Sequence, residues 1–167
     1  MRRFVNILVA IAALPAVASV AVPASVEDLA RASDVVVRGH VSSTASEWRG
    51  GRIFTFAEIE TASVWRGSAP SRTRVLTPGG AVGRIGQRVD GAAAFAAGED
   101  VVVFLTRAEA DAFRVTGMAQ GKFLLSGGVA RPDLGHTTFV QGALRAGERQ
   151  VGEMSAEELE RRVRAAR

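Results

Sequence analysis

The sequence contains no cysteine and no tyrosine, one lysine (Lys122) and two histidines (His40 and His136). Without cysteine the chain has no disulfide, no thiolate nucleophile, no iron–sulfur ligand and no cysteine-type zinc site. Two histidines leave little material for a metal centre. We therefore predict no metal site and no cofactor, and we look for the function in the fold and its surface.

Charge of one sign is not concentrated anywhere along the chain. The 21 basic and 17 acidic residues give a formal net charge of +4, and they are interspersed. A nucleic-acid interface needs a basic stripe, or aromatic residues placed between basic ones, so we expect no nucleic-acid partner. A length of 167 residues and an apolar fraction of 47% are typical of one globular domain with its own core.

The first 21 residues have the pattern of a secretory signal peptide. A basic start (MRR) is followed by the apolar run 4–14 and by small-x-small sites that end at Ala18 and Ala21. The run is shorter than the roughly 20 apolar residues that a membrane span needs, and we expect no span in the mature chain. We predict cleavage near Ala18 or Ala21 and a periplasmic or secreted product. An uncleaved anchor is the alternative.

Residues 22–167 are predicted to form a single mainly β domain with a helix at each end. Ser25 is placed to cap a short N-terminal helix, and Ser155 is placed to cap a C-terminal helix over 156–166. Between them, β-branched runs separated by glycine turns predict strands, with a hairpin loop at 48–52 (WRGGR) between the first two long ones. The apolar residues of the long strand 53–65 do not keep to one face, which indicates a bulge or a strand shared between two sides of a barrel.

The strand pattern favours a closed or nearly closed barrel over an open sandwich, which is the alternative. Strands of irregular length, with glycines at the bends, suit a barrel better. The run 100–106 (DVVVFLT) is the most apolar and is expected to be central. Residues 127–152 carry only a weak pattern, with one small hairpin expected at 136–140.

Two stretches, 33–41 (SDVVVRGHV) and 58–67 (EIETASVWRG), carry a family resemblance. The first resembles the first barrel strand of the netrin-like (TIMP-like) domains, and the second resembles their long second strand with its aromatic-basic-glycine turn. The resemblance implies a five-stranded OB-like barrel with end helices packed against it. Metalloproteinase inhibitors of this class ligate the target's zinc through an N-terminal cysteine, which this chain lacks. The resemblance therefore implies the fold and not that mechanism.

A second set of motifs resembles a group of uncharacterised exported bacterial proteins. These motifs are Pro-Gly-Gly at 78–80, Gly-Gln-x-Val at 86–89, Phe-x-x-Gly-Glu at 95–99 with the apolar strand that follows, and Gly-x-x-Gln-Gly-Lys-Phe at 117–123. That group supplies no activity to carry over.

The glycine-punctuated segment 78–98 is the candidate binding loop. Its glycine spacing is not that of a phosphate or dinucleotide loop, because no helix follows and no Gly-Lys-Ser/Thr occurs. A long loop between strands is where a binding surface is expected. The predicted partner-binding residues are Trp48, Pro78, Gly79, Gly80, Arg84, Gln87 and Arg88.

No nucleophile–base arrangement stands out in the sequence. No serine lies in a nucleophile elbow, and both histidines are expected to face solvent. Glu58 and Glu60 share a strand face about 7 Å apart, a separation that could suit a glycosidase pair. We predict an exported, non-enzymatic β-barrel module that binds a protein or cell-envelope partner through its loops. The alternatives are an inhibitor or companion of a secreted protease that inserts segment 78–98, and a small hydrolase that uses Glu58 and Glu60.

Overall fold

A mainly β structure with a C-terminal helix is confirmed, since about half of the described residues lie in strands. The first 19 residues of the predicted signal peptide, and most of the predicted hairpin at 136–140, lie outside the described residues. No described helix is long and apolar enough to cross a membrane. The structure is a computed structural model, and it describes residues 20–21, 23–109, 111–134, 138–139 and 151–166.

The described residues form short helices near both ends of the chain and strands between them. In chain order the elements are β1 (Val20–Ala21), α1 (Val26–Arg31), β2 (Val35–Arg49), β3 (Arg52–Arg66), β4 (Arg72–Pro78), β5 (Gly80–Val82), β6 (Ile85–Gln87), β7 (Asp100–Glu109), β8 (Ala112–Val115), a 3₁₀ turn (Met118–Gly121), β9 (Lys122–Ser126), β10 (Val129–Pro132), β11 (Thr138–Phe139), β12 (Met154–Ser155) and α2 (Ala156–Ala165).

Five of these strands pair in a ring. β2 pairs antiparallel with β3 on one side and with β7 on the other, and β3 pairs antiparallel with β4. β7 pairs antiparallel with β8, and β4 meets β8 in parallel at one residue pair, Val75 and Phe113, which closes the ring. β9, β10 and β12 extend the sheet outward from β7. Because β7 has β2, β8 and β9 as neighbours, the prediction of a central strand at 100–106 is confirmed.

The sheet is buried on both faces along the start of β2 and along most of β7. One apolar cluster draws residues from all five ring strands and fills the interior: Val35, Val37, Val41, Ala57, Ile59, Val75, Val101, Val103, Leu105 and Phe113. The alternating residues of β2 and β7 face outward and pack with both helices, in a cluster that includes Val26, Leu29, Val36, Val102, Phe104, Leu159 and Val163. Burial on both faces explains why these strands are continuous apolar runs rather than alternating ones.

The two longest strands bend because their pairing is interrupted. Along 36–43 of β2 the register shifts three times, which leaves Ala62 and Trp65 of β3 and Ser42 of β2 without a partner across the ladder. Such extra residues bend the strand and increase its twist. The bulge predicted in the strand 53–65 is therefore confirmed. Trp65 is only 5% exposed and packs with the helices.

The two helices begin where the sequence predicted. Ser25 Oγ accepts from the Asp28 amide at 3.1 Å and donates to the Asp28 carboxylate at 2.7 Å, and this hydroxyl is the main reason why the pKa of Asp28 lies below its usual value. Ser155 caps α2 through the Glu158 amide at 3.0 Å, and the helix ends at Ala165. The caps satisfy amide groups that otherwise lack a partner.

An ion pair joins the two helices. Arg162 of α2 donates through Nε and Nη2 to the two carboxylate oxygens of Glu27 in α1, each at 2.7 Å. The guanidinium lowers the pKa of Glu27, although partial burial opposes the effect, and the carboxylate raises the pKa of Arg162. The helices, which are distant in sequence, are thus held together over the outer face of the sheet.

Candidate binding site at one end of the strand ring

The chain between β4 and β7 folds back over one end of the ring. Part of the loop predicted over 78–98 is a small antiparallel hairpin, β5–β6. Three hydrogen bonds attach it to β3. The Gly79 amide donates to the Ile53 carbonyl at 2.8 Å, Thr55 Oγ1 donates to the Gly79 carbonyl at 2.8 Å, and the Ile53 amide donates to Gln87 Oε1 at 2.9 Å. The hairpin is therefore a fixed part of the fold.

Gly80 lets this hairpin lie directly on the sheet. Its φ is +129°, and a Cβ at this position would lie 2.2 Å from Thr55 Oγ1 and 2.4 Å from Ser46 Oγ. These hydroxyls are hydrogen-bonded to each other at 2.8 Å. No side chain fits between the hairpin and the two hydroxyls, so Gly80, one of the predicted site residues, has a packing role.

A first cavity lies between the sheet and segment 78–98, which contains the β5–β6 hairpin. Its volume is about 380 Å³. Four of its lining residues present hydroxyl groups from three neighbouring strands, namely Thr44, Ser46, Thr55 and Thr77, and the segment contributes mainly small residues from 78–95. A pocket lined by hydroxyls and backbone groups suits a polar ligand or a few ordered waters.

A second cavity, of about 630 Å³, adjoins the first and shares part of its lining, including Thr77, Pro78 and Gln87. β4 and β8 are bridged only at Val75 and Phe113, and the residues that follow on both strands line this space. Its lining residues are Arg52, Phe54, Leu76, Thr77, Pro78, Gln87, Val89, Ala92, Ala93, Arg114, Val115 and Met118. Most of these side chains are apolar, which distinguishes this cavity from the first one.

The far end of the segment is held by the chain's one lysine. Lys122 has no exposed surface, and its Nζ lies 2.8 Å from Glu99 Oε2 and 2.8 Å from Asp133 Oδ2. It also donates to the Ala94 carbonyl and lies 4.8 Å from the centre of the Phe95 ring. Two motifs of the sequence, Phe-x-x-Gly-Glu and Gly-x-x-Gln-Gly-Lys-Phe, therefore meet at this ammonium group.

Five of the seven predicted partner-binding residues come together. Pro78, Gly79, Gly80, Gln87 and Arg88 all line the first cavity. Not all of these residues are free to contact a ligand, however. The amide oxygen of Gln87 accepts from β3, Gly79 is buried, and the exposed Arg88 forms an ion pair with Asp90 at 3.4 Å.

The other two predicted residues, Trp48 and Arg84, line neither cavity. Trp48 was predicted in a hairpin loop, but it lies in β2 opposite Ile53, and the turn is shorter. Its side chain shares a sheet face with Ser46 and is 48% exposed. Arg84 is exposed between β5 and β6.

Large hydrophobic side chains are exposed on the elements that meet at this end. Among the described residues these are Trp48 on β2, Ile85 on β6 and Met118 after β8, with exposed fractions of 48%, 57% and 43%. Of these three, only Trp48 is among the predicted site residues. Arg52 and Arg114, which line the second cavity, were also missed. No local pattern marks them, because they meet only through the ring closure.

The two acidic residues considered for hydrolysis lie on the outer face of β3. Glu58 Oε1 is 3.4 Å from Arg74 Nε, without the alignment of a hydrogen bond. The same guanidinium stacks 3.9 Å from the centre of the Phe56 ring and reaches Asp111 at 3.2 Å. Glu60 is exposed. Neither glutamate lines either of the two cavities.

His40 faces solvent as predicted, with Nδ1 2.9 Å from Asp100 Oδ1. His136 lies outside the described residues. Within the described part of the chain, no group of three or more histidine, aspartate or glutamate side chains is arranged to hold a metal ion.

No family model, no curated protein and no solved structure matches the chain.

Proposed function

We propose that the chain is an exported, non-enzymatic binding module with an OB-like barrel, which takes a protein or cell-envelope partner through the loops at one end. Export is supported by the pattern of residues 1–21. The OB-like assignment is supported by the strand order. Around the ring, the five strands follow as first, second, third, fifth and fourth in the chain, a Greek-key arrangement with a helix at each end.

The observation that carries the proposal is the exposure of Trp48 and Ile85 on elements that are themselves firmly held. Aromatic residues on a rigid surface are frequent anchors in protein interfaces. Gly80 and Gln87 fix the hairpin that carries Ile85, and β3 fixes the strand that carries Trp48. A surface of this kind loses little conformational freedom on binding.

The test is capture of a partner from the exported fraction of cells that express the full sequence. Removing a buried anchor from an interface costs about 2 kcal/mol or more, so the double variant Trp48→Ala/Ile85→Ala should weaken capture at least about 30-fold. His40→Ala is the matched control, because His40 is also about half-exposed on β2 but lies away from this end. It should leave capture unchanged.

Equal capture by the double variant and by wild type would overturn the assignment of this surface. A captured protease that loses its activity in the complex would identify the alternative, in which segment 78–98 inserts into the enzyme. Turnover of a glycan substrate by the chain, abolished in Glu58→Gln, would replace the proposal by the hydrolase alternative.

A further inference from the structure

The apolar surface of the second cavity comes from three separate parts of the fold. Phe54 and Leu76 lie on β3 and β4, Val115 and Met118 lie at and after the end of β8, and Val89 belongs to the segment after β6. Its volume of about 630 Å³ lies within the range of small-molecule sites, about 300–1,000 Å³. Such sites are mainly apolar and carry a few polar groups that orient the ligand.

The polar groups here are two guanidiniums. Arg52 and Arg114 both line the cavity and are exposed, and neither has a carboxylate partner within the described residues. Two like charges that line one cavity repel each other, and an anion bound between them removes that repulsion. Guanidinium groups are well suited to the paired oxygens of carboxylates and phosphates.

Met118 lines this cavity with its backbone in an unfavourable conformation. Its φ is +58°, in the left-handed region that residues other than glycine rarely adopt. The amide of the next residue, Ala119, donates to the Gly91 carbonyl at 2.9 Å and fixes the turn against the hairpin segment. Strained residues of this kind cluster at ligand sites. A methionine is also the side chain that adapts most easily to an apolar ligand.

We infer that the second cavity binds an anionic amphiphile, meaning one apolar chain with a carboxylate or phosphate head. The chain would lie against Phe54, Leu76 and Met118, and the head would lie between Arg52 and Arg114. This inference rests on the proposed function, because it names a ligand class for the same end of the ring. It uses other residues than the Trp48 and Ile85 surface.

The experiment is calorimetric titration of the chain, purified from the exported fraction, with dodecanoate and with dodecyl phosphate below their micelle concentrations. Comparing the affinities for these two probes shows whether the site prefers a carboxylate head or a phosphate head. Dodecyl maltoside supplies the same chain with an uncharged head, and acetate supplies a head without the chain. We expect one site per molecule for at least one anionic probe and binding at least tenfold weaker for both comparison compounds.

The variant Arg52→Gln/Arg114→Gln should weaken binding of the anionic probe at least tenfold and flatten its salt dependence. Arg38→Gln is the matched control, since Arg38 is an exposed strand arginine that lines neither cavity. Met118→Gly should relieve the backbone strain, keep the fold and still weaken binding, which separates a ligand contact from a structural role.

Equal affinity for dodecyl maltoside, or equal affinity in the arginine double variant and in Arg38→Gln, would overturn the inference. Capture of a partner that depends on Trp48, together with no binding of either anionic probe, would refute this inference and leave the proposed function standing.

Discussion

Replacing Lys122 by methionine tests whether the buried ammonium holds the end of segment 78–98 to β9. Methionine is of similar size, so the change removes the charge and its donated bonds with little loss of packing. It leaves the carboxylates of Glu99 and Asp133, 24% and 29% exposed, without their cation. An unsatisfied buried group costs about 1–3 kcal/mol. Because both carboxylates keep some contact with water, we take the lower half of that range for each.

The free energy of unfolding should therefore fall by about 3 kcal/mol in Lys122→Met, near the lower end of what breaking a buried ion pair costs. At this chain length the loss corresponds to a drop in Tm of about 6–12 °C. The assay is denaturant unfolding followed by the fluorescence of Trp48 and Trp65, together with a thermal scan. Neutralising the stranded carboxylates, in Lys122→Met/Glu99→Gln/Asp133→Asn, should recover at least about half of the loss, since uncharged groups are less costly to bury.

The matched control is Arg131→Met. Arg131 Nε is also 2.8 Å from a carboxylate oxygen, that of Glu153, but the two side chains are 69% and 54% exposed. An exposed ion pair contributes at most about 1 kcal/mol, so this variant should lose no more than that. The reasoning is refuted if Lys122→Met loses no more than Arg131→Met, or if the triple variant is no more stable than Lys122→Met alone.

Two further predictions concern the helices and the hairpin. Glu27→Gln should lower stability by about 1 kcal/mol near neutral pH. Since the folded pKa of Glu27 is depressed, the stability difference from wild type should persist above the unfolded pKa of about 4.3. It should vanish as the pH falls through the folded pKa. A stability difference that stays constant to pH 2 in denaturant titrations would contradict the pairing with α2. Gly80→Ala places a methyl group against Ser46 and Thr55 and should cost about 2–3 kcal/mol, measured by thermal unfolding. Gly83→Ala, also at positive φ but with open space around it, should cost about 1–2 kcal/mol, and equal losses would show that the contact with the hydroxyls is unimportant.

The strands and helices that could be predicted from the sequence are those whose signal is local. The runs 35–37 and 101–105 are apolar without alternation because both faces are buried, so their burial showed in composition alone. The turn at Gly50–Gly51 was recognised between two long strands. The equivalent turn at Gly127–Gly128, also with positive φ at both residues, joins β9 to β10 and was missed. There the strand that follows is short and ends at Pro132, which weakened the strand pattern.

The candidate site was predicted only in part, because its residues are brought together by ring closure. Segment 78–98 could be chosen for its glycines and its length. The neighbours that give the second cavity its chemistry, Arg52 and Arg114, are 62 positions apart in the chain, and they line one space only because β4 and β8 meet. Such pairing depends on topology, which strand periodicity does not reveal.

Lys122 is the chain's only source of a side-chain primary amine, and the folded protein encloses it. Acylating reagents and amine-directed crosslinkers therefore find only the α-amino terminus while β9 stays in place. Acylation at position 122 requires release of the contacts that Nζ makes with Ala94, Glu99 and Asp133, so its rate under mild labelling follows the population of the opened molecule. Mass spectrometry of a single peptide would thus read out local opening, without an introduced probe.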